Sequence, residues 1–363
     1  MSLLEEDPTE TGVLLWTCLR DIMLWASVDP ADRDDLFPAG AAARLLDRIR
    51  GVAPDRELEI ALTTLGAVLD VPATVNPQIV ALVCHAIGRW AEERGRLATA
   101  VAFKVAAAAS VPGSGGPARE VARVAVRLDE LPWAETWARR ALTLSRRARE
   151  WEVYGLALLD LAEISLRRRT TTRAERYFRA SVRAGRRFGL AEVRAAGLHG
   201  LARLLAEDAD YLRDAEKYAG MALRAYGRGH ARVPVVMRDL ARIWVTAGMY
   251  ARAVPVLRKY ANATDSPDWR ISMLALLARA AAGGRDGALY ESTWSAAWTT
   301  IDSAGADVQE EALMELARAA ALSRDGRYFT QAESRHRSMP QADHRNRAEL
   351  QRLAASLASR RAG

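Results

Sequence analysis

Apolar residues recur along most of this chain at the three- and four-residue spacing of a helix face. Within 9–27 they fall at Val13, Leu14, Trp16, Leu19, Ile22, Met23 and Trp25. A polar connection, 28–37, carries Asp29, Asp32, Asp34 and Asp35. Two more helical patterns cover 38–49 and 55–69. Asp55 ahead of Arg56-Glu57-Leu58-Glu59 gives the last of these an acidic first turn, which suits a helix dipole. Pro72 and Pro77 close the segment. From there the pattern predicts helix pairs. The first joins 78–94 to 97–110 through Gly95, and the loop 113–117 ends it. Further pairs are expected over about 117–149, 151–188, 190–229, 234–263, 267–304 and 306–339, with a polar closing helix at 341–360. Strand-type alternation is scarce.

One short motif recurs inside these pairs: an aliphatic residue, then Gly or Ala, then Arg. It appears at Ile87-Gly88-Arg89, Val121-Ala122-Arg123, Leu201-Ala202-Arg203, Leu240-Ala241-Arg242, Leu277-Ala278-Arg279 and Leu316-Ala317-Arg318. Leu161-Ala162-Glu163 is a copy of opposite charge. The successive steps are 34, 40, 40, 39, 37 and 39 residues. A period in this range implies stacked helical hairpins, each too small to bury its own apolar face.

The residues of these units resemble the tetratricopeptide repeat family over about 78–340. The fifth unit offers Leu240-Ala241, Trp244, Gly248, Tyr250, Ala253 and Pro267. The first offers Ile87-Gly88, Gly95, Leu97, Ala100, Ala107 and Pro112, and the third Leu161-Ala162, Ala174 and Phe178. The period is longer than the family's, as in bacterial regulatory arrays of this class. Units six and seven fit weakly, and extra residues lie around 207–212. The resemblance implies an all-α, right-handed superhelical solenoid of about seven hairpins. The expected division is an acidic helical head at 1–78, the repeat array at 79–340 and a capping helix at 341–363.

Charge divides along the same lines. The chain is +7 overall, yet residues 1–78 are −8 and the remainder +15. Such asymmetry bears on partners rather than fold. An intramolecular contact, the head docking on the array and competing with a partner, is one expectation. No apolar run approaches the ~18 residues of a membrane helix, and the acidic start lacks a basic signal segment, so cytoplasmic residence is expected. Cys18 and Cys84 read as free buried thiols.

By the resemblance, the residue after the small position faces a concave groove. That assigns ligand contacts to Arg89, Arg123, Arg203, Arg242 and Arg279, with Arg318 in the same row. His85, Arg119, His199 and Arg238 stand one turn earlier and assist. Guanidinium forks match carboxylates and phosphates in pairs, so an acidic peptide or protein segment is the expected partner. A second reading stands beside this one. Arg89 with Glu93, Arg203 with Glu207, Arg123 with Glu120, Arg242 with Asp239 and Arg318 with Glu315 are spaced for local ion pairs that merely solvate a helix. Arg279 alone lacks an acid nearby in its own helix. An alternative function is nucleic-acid binding through the outer basic set of Arg139–Arg187. The Trp133/Trp137 and Trp294/Trp298 pairs read as inter-helix core. The five histidines show no ligand spacing, the 113–116 glycines lack a following Lys, and no nucleophile motif is present. The chain is therefore read as a non-enzymatic adaptor or sensor with no cofactor and no metal.

Overall fold

The computed structural model describes residues 2–262, 265–340 and 343–359. Among the described residues the fold is nineteen α-helices with no strand, an all-α helical repeat. It forms two compact units, residues 1–194 and 195–363, with the boundary inside one helix.

The first unit opens with α1 (Leu3–Glu6), α2 (Glu10–Ser27), α3 (Ala41–Val52) and α4 (Arg56–Asp70). The last three lie where the apolar pattern places them. The one-turn α1 is too short to show a period. A reciprocal cap holds it: Ser2 Oγ accepts the Glu5 N–H and the Glu5 carboxylate accepts the Ser2 N–H. Asp55 caps α4, accepting the Leu58 N–H at 2.9 Å, and its other oxygen accepts from Trp90 Nε1 at 2.9 Å and Arg94 at 3.0 Å.

Three hairpins follow: α5 (Pro77–Glu93) with α6 (Leu97–Ser110), α7 (Gly115–Arg127) with α8 (Leu131–Ala148), and α9 (Trp151–Arg167) with α10 (Thr171–Arg187). The boundary helix is α11 (Ala191–Leu205). The second unit continues with α12 (Leu212–Tyr226), then α13 (Val233–Thr246) with α14 (Tyr250–Ala261) and α15 (Pro267–Gly283) with α16 (Gly287–Thr300). The last pair is α17 (Ala306–Ser323) with α18 (Gly326–Arg337), and α19 (His344–Ser359) closes the chain. Residues 263–264, 341–342 and 360–363, which the sequence pattern assigns to the ends of the fifth unit and of the closing helix, lie outside the described residues.

Six hairpins turn the same way. The N–H of the residue opening the second helix reaches back five residues, as in Glu130 to Ala125 (3.0 Å), Met249 to Trp244 (2.8 Å) and Asp325 to Ala320 (2.9 Å). The residue before it is left-handed: Gly95, Asp129, Arg169, Gly248, Arg285 and Arg324. Only Gly95 and Gly248 take that conformation without steric cost. The fourth hairpin departs, as the extra residues at 207–212 anticipate. A 3-10 turn, Ala209–Tyr211, joins α11 to α12, and the Asp208 carboxylate accepts the Asp210 N–H.

The small motif residue is buried in every hairpin, from Gly88 through Ala317. A methyl on Gly88 would stand 3.2 Å from the Ala100 carbonyl of the paired helix. In one place the helix begins earlier than the sequence suggests. The glycines at 113–116 read as loop, yet α7 starts at Gly115, whose N–H is held by Glu150 at 2.9 Å while Ser114 binds the same carboxylate.

In the first unit one core serves both head and first hairpin. Leu14, Cys18, Ile22 and Trp25 of α2 pack with Ile87 and Trp90 of α5 and Phe103 of α6. Full burial of each large apolar side chain is worth ~1.5–3 kcal/mol. Acidic head residues make fixed contacts there too. Glu6 accepts the N–H groups of Ala98 and Thr99 at the start of α6, and Asp7 pairs with Arg96 at 2.5 Å. The head thus contacts the array as part of its core, with its carboxylates on the first hairpin's turn. Cys18 and Cys84 are buried free thiols, and burial pushes Cys18 up to about 12. In the second unit the core gathers α15 to α19 around Trp294, which stacks with Tyr328 at 4.6 Å. Among the described residues no helix is long and apolar enough to cross a membrane.

Candidate functional site

The first helix of each hairpin carries the charged motif, and the structure adds a second column to it. Two residues before the small position stand Glu120, Asp160, Asp239 and Glu315, in α7, α9, α13 and α17. Three of these carboxylates accept from a cation one hairpin earlier. Arg119 Nε donates to Asp160 at 2.6 Å. His199 Nε2 meets Asp239 at 2.8 Å. Arg279 Nη1 donates to Glu315 at 2.9 Å. Glu120 instead pairs with Lys104 of α6 at 3.2 Å and with Arg123. The row of guanidiniums is thus interleaved with a row of acids.

Burial decides how each carboxylate responds. Burial pushes Asp160 up, and Arg119 does not offset it. Burial also raises Asp239, but the His199 hydrogen bond and the Arg238 charge outweigh it and hold the group at about 2. Glu315 is buried as well, yet Arg279, Arg318 and Arg242 together hold it below the usual carboxylate range. For His85, half-buried on α5, burial and then the Lys104 ammonium lower the pKa.

The expected local pairs form at Arg89 with Glu93 (3.9 Å), Arg123 with Glu120 (3.1 Å) and Arg318 with Glu315 (2.7 Å). Arg242 does not pair with Asp239 of its own helix. It reaches Glu311 of α17, because His199 and Arg238 already occupy Asp239. Arg279 finds its acid in the next hairpin.

Two clefts open on this face of the second unit. One, of about 480 Å³, gathers His199, Arg203, Arg238 and Arg242 with Glu207 and Glu311. The other, of about 500 Å³, holds Arg242, Arg279 and Arg318 among six acids. Glu310, one of them, accepts from Asn346 (2.8 Å), the Asp343 N–H (2.8 Å) and His336 (3.1 Å), tying α17 to α19. Buried Met314 lies among the acids that line this cleft.

In the first unit His85 and Arg89 on α5 and Arg119 and Arg123 on α7 share the corresponding face. Arg89 and Arg123 are its open members, 61% and 56% exposed. Arg89 makes only long contacts, 3.8 Å to Glu57 and 3.9 Å to Glu93. Both hydrogen bonds from Arg123 leave Nη1, so its Nε and Nη2 edge has no hydrogen-bond partner among the described residues. Among the described residues no group of three or more His, Cys, Asp or Glu could hold a metal ion.

These features define a tetratricopeptide-like helical repeat protein in which charged pairs join neighbouring hairpins within each unit. Solved structures agree on the fold. The chain is similar to a Rap protein complexed with the competence and sporulation factor, at 11% identity over 96% of this chain and 99% of that one, TM-score 0.51. It is similar to apo RapI at 16% identity over 71% and 97%, TM-score 0.57. Aspartyl phosphate phosphatase F from Bacillus subtilis matches at 12% identity over 91% and 95%, TM-score 0.55. No protein-family model matches the sequence, and no curated protein matches it.

Proposed function

We propose that this chain is a non-catalytic adaptor that binds a peptide or protein segment along the face of its motif helices. The observation that carries this is the open guanidinium edge of Arg123. It stands on the same face as Arg89 and as Arg127, which spends Nη1 on Glu92 at 2.7 Å. A carboxylate takes two parallel N–H bonds from such an edge, and the bond is charge-assisted. The segment is therefore acidic where it meets α5 and α7. Arg119 and His85 stand beside that edge on the first unit, Arg119 already fixed by Asp160; on the second unit Arg238, Arg242, Arg279 and His199 are further candidate contacts, each already fixed by a neighbouring carboxylate. Arg203 completes the lining on α11. Holding these side chains in place before binding reduces the ordering cost of association. The fold neighbour complexed with the competence and sporulation factor is one instance of this architecture holding a partner.

The test is selection of peptides from a random display library by the intact chain, followed by fluorescence anisotropy titrations. Selected peptides should carry Asp or Glu, and Arg123→Glu should weaken them at least about tenfold, the loss of one charge-assisted pair. Peptides without acids, or affinities indifferent to Arg123→Glu and Arg89→Glu, would end this reading.

A further inference from the structure

The strongest charge on the first unit lies away from the motif face. Residues 131–190 hold fourteen Arg, no Lys and six acids. Four of those acids are occupied. Glu135 takes Arg139, Arg168 and Arg173; Glu175 takes Arg179; Asp160 is buried against Arg119; Glu150 holds the start of α7. The exposed guanidiniums without an ion pair or side-chain hydrogen bond among the described residues include Arg146, Arg147, Arg149, Arg176, Arg183 and Arg186.

Their placement is ordered. On α10 the buried positions are Ala174, Phe178, Ser181, Ala184 and Gly185. Arg176, Arg179, Arg183 and Arg186 step three, four and three residues along an exposed face. At 1.5 Å per residue that stripe runs ~15 Å. The Glu135 bridge to Arg173, at 2.7 Å, sets the start of α10 beside the start of α8. Each helix joins α9 through one tight turn, so α8 and α10 leave that junction in the same sense. Arg146 and Arg147 then end α8 as Arg183 and Arg186 end α10.

We infer that the outer face of α8 and α10 is a docking surface for the phosphate backbone of duplex nucleic acid. One strand presents a phosphate every ~3.4 Å along the axis, so a ~15 Å stripe spans about four of them. Guanidinium pairs with phosphate through its planar fork, and the surface uses Arg alone. A membrane would need apolar side chains to insert. The only large hydrophobic residue exposed on these two helices is Trp133, in the first turn of α8, away from the free arginines. The surface offers backbone contact only, so binding is insensitive to base sequence. This inference is independent of the segment-binding role.

The experiment titrates a labelled 24-bp duplex DNA with the full chain by fluorescence polarisation between 50 and 200 mM salt. Six phosphate contacts predict a loss of about 10³ in affinity over that range, with a log–log slope near −5. Arg146→Gln/Arg147→Gln/Arg183→Gln/Arg186→Gln should flatten the slope by about 3–4 and weaken binding at 50 mM at least about tenfold. Its thermal melt serves as the folding control. The variant Arg324→Gln/Arg345→Gln/Arg347→Gln/Arg352→Gln has the same net charge and should retain most of the affinity. No binding at 50 mM, equal losses in both variants, or phosphatidylserine vesicles binding more tightly than DNA would each overturn the inference.

Discussion

Replacing Glu315 by Ala tests the charge lattice where it is most deeply buried. Glu315 is 4% exposed and accepts from Arg279 at 2.9 Å and Arg318 at 2.7 Å. Arg318 would keep Glu349, at 2.7 and 2.8 Å. Arg279, only 16% exposed, would lose its one ion-pair partner among the described residues. Removing one member of a buried pair costs ~3–5 kcal/mol, because the other charge stays desolvated. In a unit of this size each kcal/mol lowers Tm by ~2–4 °C, so the second unit should melt ~6–20 °C lower. Calorimetry of the intact chain reads this directly. The double variant Glu315→Leu/Arg279→Leu removes both charges together and should recover most of the loss. A single-variant cost below ~1 kcal/mol, or a double variant as unstable as the single, would refute the reasoning.

Three further outcomes follow from the same geometry. Asp239 is held at about 2 when folded, against 3.8 ordinarily, so its pairing stabilises the second unit above about pH 4. That contribution, ~2 kcal/mol, fades as pH falls toward 2, and acid denaturation of Asp239→Asn should lack this component of the wild-type curve. Glu6→Ala removes the carboxylate at the start of α6 and should cost ~1–2 kcal/mol in urea unfolding of the first unit. Arg285→Gly relieves a left-handed residue at φ 60 and should raise the melting temperature of the second unit, by up to ~1 kcal/mol of stability.

The helical hairpins were legible because apolar spacing and turn glycines report local geometry, and both recur. The turns at Asp129, Arg169, Arg285 and Arg324 were not marked by glycine, yet the five-residue backbone bond forms there regardless. The cationic column was legible as well, since six copies share one motif. Its partners were harder to see. Glu120, Asp160, Asp239 and Glu315 occupy one register, two residues before the small position, and that column is present in the sequence. Pairing Asp160 with Arg119 or Glu315 with Arg279 requires knowing which helices stand side by side, and sequence spacing within one helix does not contain that. Arg242 with Glu311 skips a whole hairpin and had no local signal. The acidic head was legible as a charge imbalance, but its role as a wall of the first unit's core appears only when Trp25 is seen packed with Ile87 and Phe103. The competing-head expectation implied that deleting 1–78 would tighten ligand binding. Because the head shares this core, deleting 1–78 is expected to destabilise the first hairpin as well.

The segment-binding face is tested most directly by amide hydrogen exchange of the intact chain, with and without a saturating acidic peptide from the display selection. Added protection is expected in the motif helices α5 and α7, and Arg123→Glu should abolish it. Protection confined to α6 and α8, or to the head helices, would contradict the account.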